Sequence, residues 1–338
     1  MSSTLSLTII MFVRIVLAAD IGGTVLRAAL VSEDGRVHAR VALPSQPREG
    51  PAALVERLLV ALGRVLEEAP PGARASVGAI VLAGPGPLSA ASGELLDPIA
   101  PFDRRYDRLP LVHLVQERFA LPCVLARDTV VAARGEASIG AARGSADFVY
   151  LTVSTGIGAA VVSGGRLIAG ADGLAGELGH MPATEANVVC PCGALGHLEA
   201  IAGGYAIGRL ATEMALAGRG DSLAQLVRQA PDHTLTAADV AAAANGGDPI
   251  AAAILGRAQR AIAAAVVGYV NAFNPTLLVV GGSIARAGGA TYLAALENDV
   301  RLRAIPTAAR RVSVVSASLG DDAGLAGAAA IARDCGYV

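Results

Sequence analysis

The densest chemistry in the chain lies between His180 and His197. Within those 18 positions His180, Cys190, Cys192 and His197 offer two imidazoles and two thiols, carried by the segments Glu177-Leu178-Gly179-His180, Cys190-Pro191-Cys192-Gly193 and Gly196-His197-Leu198-Glu199. Four N and S donors make a closed tetrahedral zinc site, and a closed site is structural because no coordination position is left for a substrate. A Cys-x-Cys redox pair and accidental clustering are the other readings of the same residues. His38, His113 and His233 have no such company and read as surface or core-edge residues. Cys123 reads as a buried strand residue, and Cys335 as an ordinary thiol near the chain end.

Three glycine segments form the second set. Asp20-Ile21-Gly22-Gly23-Thr24 lies between two apolar runs. Paired glycines let the backbone bend with its amides turned to an anion, Thr24 adds a hydroxyl, and Asp20 suits a hydrated Mg²⁺. An ordinary β-turn accounts for the same residues. Ser154-Thr155-Gly156-Ile157-Gly158 repeats the combination after another apolar run, and two such loops at equivalent places are what a polyphosphate held from two sides requires. Gly281-Gly282-Ser283 is either a surface for the adenosine end of a nucleotide or a helix entry capped by Ser283. In Arg127-Asp128-Thr129, Asp128 is either a base for a hydroxyl nucleophile or a helix N-cap, and spacing does not separate the two.

Composition narrows the classes. The 338 residues are 53% apolar and 17% charged, enough for one large core or two ordinary ones, and the formal charge of −2 gives no footprint for nucleic acid or an anionic membrane. All 27 basic residues are Arg. Without Lys there is no Gly-Lys-Ser/Thr phosphate loop, no pyridoxal Schiff base and no Ser-x-x-Lys acyl enzyme. Four Cys in so long a chain do not make a secreted disulfide framework, which points to a reduced, cytoplasmic setting. Residues 5–19 superficially resemble a signal peptide, but Arg14 splits the run and no basic segment precedes it. Residues 13–19 read instead as a buried first strand after a loose leader. The apolar stretch 262–273 falls short of a membrane-spanning helix.

The elements that must carry these residues follow from periodicity. Strands are expected at 13–19, 27–31, 37–43 and 77–82, with Asp34-Gly35 as a hairpin turn and a helix over 52–68. A strand at 123–126 and a helix at 129–141 come next. A second hairpin-like set runs over 148–153, 158–163 and 166–169, with Gly164-Gly165 as its turn. A long helix over 249–273, a strand at 276–280, a strand at 311–315 and a helix over 322–334 close the chain. Two units that each begin strand, glycine turn, strand suggest duplicated α/β halves.

Taken in order, Asp20 to Thr24, the run 151–158, Ala175-Gly176-Glu177-Leu178-Gly179-His180-Met181, the Cys-x-Cys-Gly-x-x-Gly-x-x-Glu segment and Asn274-Pro275 through Gly282 resemble the ROK family of sugar kinases and repressors over nearly all of 13–333. The resemblance implies an α/β, actin-like (ribonuclease H-like) two-domain fold with ATP and a sugar in the cleft. It places an N-terminal domain at 11–127, with helix 322–334 packing back on it, and a C-terminal domain carrying the zinc loop at 128–321. It assigns the catalytic base to Asp128, sugar-hydroxyl contacts to Glu177, His180 and Glu199, and structural zinc to His180, Cys190, Cys192 and His197. ATP phosphates then fall on Asp20, Gly22, Gly23, Thr24, Thr155, Gly156 and Gly158, the adenosine end on Gly281 and Gly282, with Mg²⁺ offsetting charge in place of Lys. It also implies a homo-oligomer, a dimer, with sugar and ATP as its ligands. Only about a dozen residues precede the first strand, which favours a kinase over the family's DNA-binding repressors.

Three positions depart from the family pattern. His197 stands where Cys is usual, a change that zinc tolerates. Arg127 and Ile99 stand where the family has amide side chains that meet the sugar. Arg127 either turns outward, or pairs with Asp128 and weakens it as a proton acceptor, or, helped by Arg104 or Arg105, recognises an anionic group on a substrate other than plain glucose. The expectation is a hexose or hexose-derivative kinase that handles glucose poorly; the alternative is a sugar-binding regulatory protein with little or no turnover.

Overall fold

Apart from Asp20, the seven residues of β1 (Ile15–Ile21) are apolar, and Ile15 to Ala19 are all buried, as a central strand covered on both faces requires. The computed structural model describes residues 15–46, 49–96, 108–183, 187–230 and 232–338. They divide into two compact units, one holding the chain up to Val131 together with Gly324–Val338, the other Ala132–Ala323.

In the first unit β1 turns into β2 (Val25–Ser32) and β2 into β3 (Val37–Pro44), both antiparallel. Gly35, at φ 79°, makes the expected tight turn between the latter pair. Helix α1 (Pro51–Glu68) starts on a proline and lays Leu54, Leu58, Ala61, Leu62 and Val65, one apolar stripe, against this sheet. After the short α2 (Pro71–Ala75), β4 (Val77–Gly84) pairs parallel to β1, and β8 (Cys123–Arg127) parallel to β4. Between them come a small sheet of β5 (Leu88–Ser89), β6 (Glu94–Leu96) and β7 (Arg108–Leu109), and α3 (Leu111–Phe119). The main sheet order is β3-β2-β1-β4-β8.

Helix α4 (Asp128–Ile139) leads into the second unit. There β9 (Phe148–Val153), β10 (Ile157–Ser163) and β11 (Arg166–Leu167) form an antiparallel meander. Gly164 and Gly165 both take positive φ at its two-residue turn. Parallel to β9 runs β12 (Leu277–Gly281), and parallel to β12 runs β13 (Ser313–Ser316), giving the order β11-β10-β9-β12-β13. Strand order and strand senses repeat those of the first unit, so the duplication extends from the paired glycine turns to the whole sheet.

The helices of the second unit are α5 (Glu199–Ala202), α6 (Gly204–Leu216), α7 (Asp221–Gln229), α8 (Ala237–Asn245), α9 (Pro249–Phe273), α10 (Ser283–Arg303) and α11 (Pro306–Arg311). Counted whole, α9 is long and apolar enough to cross a membrane, which its C-terminal half alone did not suggest. It carries Arg257 and Arg260, and it buries Ile254, Ala258, Ile262, Val266 and Val270 at four-residue spacing against neighbouring helices, as a core helix does. The single helix expected over 322–334 is instead α12 (Ala323–Ala326) and α13 (Ala328–Asp334), interrupted at Gly327, where glycine lowers helix propensity. In the first unit α13 packs on β4, β1 and β2.

Asp248, 5% exposed, caps α9 by accepting hydrogen bonds from the amides of Ile250 at 2.9 Å and Ala251 at 3.0 Å. Asp248→Ala is expected to lower the stability of this unit by about 1–2 kcal/mol, read as an earlier urea midpoint by circular dichroism; an unchanged midpoint would contradict the capping role.

Candidate active site and metal centre

The metal loop is set from beneath. Tyr269 of α9, 1% exposed, donates its hydroxyl to the Leu178 carbonyl at 2.7 Å and so fixes the 3₁₀ turn Leu178–His180. Antiparallel bridges of Pro182 with His197 and Val189 with Leu195 narrow the loop, and the amide of Cys190 donates to Ala194 O at 2.8 Å. His180 Nδ1 thereby lies 3.2 Å from His197 Nδ1 and 3.7 Å from Cys190 Sγ, and Cys192 Sγ lies 3.2 Å from His197 Nδ1. All four donor atoms fall within 4.8 Å of one another. Zinc bonds of about 2.0–2.3 Å in a tetrahedron put neighbouring donors about 3.3–3.8 Å apart, so both the type and the spacing of this set fit zinc.

Burial pushes the Cys190 thiol up to about 12, so binding a metal there would release its proton. Burial first, and then the neighbouring His180, hold His197 below the usual imidazole range and keep its lone pair available to a metal. On its other side His180 places Nε2 3.9 Å from Glu177 Oε2. One ring therefore serves the donor cluster through Nδ1 and faces Glu177 through Nε2.

The β9–β10 turn is built around a carboxylate. Glu199, the first residue of α5, accepts the amide of Ile157 on Oε2 at 2.7 Å, and a Cβ on Gly156 would run into that same oxygen. The carbonyls of Ser154 and Thr155 accept the amides of Gly204 at 2.8 Å and Tyr205 at 2.9 Å, tying the turn to the start of α6. Ser154 N donates to Gly156 O at 2.9 Å. The amides of Thr155 and Gly156 are left with no partner among the described residues. Gly158 lies in β10, paired with Thr152, rather than in the turn. Gly281 ends β12, and Gly282, at φ 91°, makes the bend into α10. Ser283 is the first residue of that helix and not its cap, and its hydroxyl lies 3.0 Å from that of Ser154.

In the first unit the equivalent turn is Gly22-Gly23-Thr24. Gly22 N donates to Val25 O at 3.2 Å, while the amides of Gly23 and Thr24, both exposed, have no partner among the described residues. Ser45, 1% exposed, pins the turn by donating its hydroxyl to Gly22 O at 2.6 Å and its amide to Thr24 O at 2.9 Å. No local sequence signal marks Ser45, a serine that acts on a turn so far back in the chain. Asp20 pairs with Arg27 at 3.4 Å, and Gly324 of α12 packs against its carboxyl. Asp128 is exposed at the start of α4 and accepts the amide of Thr129 on Oδ1 at 2.6 Å. Arg127 is only 4% exposed, so it does not turn outward. Asp97-Pro98-Ile99, Arg104 and Arg105 lie outside the described residues.

The ROK family profile matches residues 16–335. The chain belongs to the ROK family. Among ROK relatives, a glucokinase from Thermotoga maritima is 32% identical over 320 residues, covering 94% of this chain and 97% of that protein. An N-acetylmannosamine kinase from Escherichia fergusonii is 35% identical over 317 residues, covering 94% and 98%. Among solved structures, the ROK family glucokinase from Streptomyces griseus in complex with glucose and AMPPNP is similar with a TM-score of 0.78 at 29% identity, over 95% of this chain and 99% of that one. The α/β architecture with its repeated sheet is accordingly the actin-like ATPase fold of ROK proteins.

Metal analysis of the purified protein is expected to find a single equivalent of zinc, lost in Cys190→Ser and His197→Ala. Stripping it with a chelator should lower the melting temperature by several degrees, because metal binding here is folding energy. Full zinc content in Cys190→Ser would refute the assignment.

Proposed function

We propose that this ROK protein transfers the γ-phosphoryl group of ATP to a hydroxyl of a hexose or hexose derivative. The observation that carries the reading is the pair of glycine turns at equivalent places in the two sheets. Each leaves two consecutive amides, Gly23 and Thr24 or Thr155 and Gly156, without a partner among the described residues, and each adds a threonine hydroxyl. Such amides suit phosphate oxygens, which matters in a chain without lysine. The glucokinase and N-acetylmannosamine kinase relatives support the same class of reaction.

In this reading Asp128 accepts the proton of the attacking sugar hydroxyl as its oxygen bonds to the γ-phosphorus and the bond to ADP breaks. Glu177, Glu199 and Nε2 of His180 meet sugar hydroxyls. Asp20 would hold Mg²⁺ through water, which supplies charge neutralisation on the phosphates. The zinc ligands His180, Cys190, Cys192 and His197 do no chemistry and hold the loop that presents Glu177 and His180. Gly281 and Gly282 take the adenosine end.

The buried Arg127 supports a narrower claim about substrate. A fixed cation in place of a neutral amide, one residue before the base, suits a sugar other than plain glucose, or leaves a sugar binder with little turnover. Asp128→Asn is expected to lower kcat on the order of 10²–10⁴-fold with little change in KM for ATP. In a sugar panel with coupled ADP detection, glucose should rank low, and Arg127→Asn should raise its turnover. Sugar binding by calorimetry with no ADP formed from any sugar would decide for the non-catalytic reading.

A further inference from the structure

One buried carboxylate has no part in the chemistry above. Glu136, in α4, has no exposed surface, and its two oxygens accept four hydrogen bonds. Oε1 accepts the amides of Ser318 at 2.8 Å and Leu319 at 2.9 Å; Oε2 accepts the Ser318 hydroxyl at 3.0 Å and the amide of Ala141 at 2.6 Å. Gly140 leaves room for the group, since a Cβ there would strike Oε2. A charge this deep is tolerated only when so fully satisfied.

Three of the four donors lie 182 or 183 positions away, on the turn that leaves β13. That turn does not stand alone. Ala317 donates its amide to Val280 O at 2.9 Å, so it starts in register with the end of β12. Ala317 and Gly320 then line a small pocket together with Tyr150, Gly281, Gly282 and Arg286. On the rim, Arg286 pairs with Asp321 at 2.9 Å, but both side chains are more than half exposed, and a pair of that kind holds a loop weakly. Among the described residues, Glu136 is the buried charged group that anchors this wall.

We infer that Glu136 is a positioning residue for the nucleotide. It holds the Ser318–Gly320 turn beside the pocket that takes the adenosine end, which Gly281, Gly282, Ala317 and Gly320 line together. This rests on the kinase reading, because it takes that pocket for a nucleotide. The phosphate tail is gripped elsewhere, so loosening the wall weakens adenosine recognition and leaves phosphate recognition alone.

The test is calorimetric titration of the zinc-loaded protein with Mg·ADP and, separately, with Mg·tripolyphosphate. In Glu136→Gln the amide nitrogen meets the Ala141 or Ser318 amide donor to donor. It is expected to weaken ADP at least tenfold and tripolyphosphate less than twofold. Ser318→Ala removes only the hydroxyl bond and is expected to weaken ADP two- to fourfold with the same split, which decides the matter if Glu136→Gln does not fold. Unchanged ADP affinity in the folded variants, or equal losses for the two ligands, overturns the inference while the kinase reading stands. A wild-type protein that binds neither ligand overturns both.

Discussion

The hydrogen bond from the Ile157 amide to Glu199 joins three pieces of chain that are distant in sequence. Through it the β9–β10 turn rests on the first residue of α5, and Leu198, just before, donates its amide to Met181 O at 3.0 Å, next to the metal loop. The carboxylate can sit so close only because position 156 has no side chain. A charge-assisted bond of this kind contributes about 1.5–3 kcal/mol, and its geometric effect exceeds its energy. It sets how far the Thr155 and Gly156 amides stand from Glu177 and His180 within one unit. The His180, Cys190, Cys192 and His197 cluster fixes one end of that span, and Tyr269 supports it from the core.

Repetition of the sheet explains why the glycine turns match. In both units an antiparallel meander is extended by two parallel strands, and the tight turn joins the central strand to its antiparallel neighbour. Apolar residues on both faces of β1 and β9 drive those strands inside, which leaves the turns at their ends as the places where backbone donors reach solvent. In the proposed kinase, polyphosphate needs no lysine, because the donors belong to the backbone.

Much of this was legible in the sequence, and what was legible is local. The four candidate metal donors span 18 positions, so spacing alone proposes them. Segments 148–153 and 249–273 read correctly from periodicity, and Gly164-Gly165 named its own turn. Contacts between distant positions left no such trace. Ser45 under the first glycine turn, Tyr269 beneath Leu178 and Glu136 beneath Ser318 look like an ordinary serine, tyrosine and glutamate until the fold brings their partners to them. Gly158 reads both as part of the glycine turn and as the first residue of the 158–163 strand, and its pairing with Thr152 in β9 bears out the strand. The C-terminal helix was read as continuous because its alanines outweighed one glycine.

The two-sided placement of His180 has a consequence for proton bookkeeping. If Nδ1 holds the proposed zinc, the ring's one hydrogen sits on Nε2, so the face turned to Glu177 would be a donor with an acceptor beside it. In the proposed kinase, a sugar hydroxyl arriving there would meet a giving group and a receiving group side by side, with the orientation of both set by the ion on the far side of the ring.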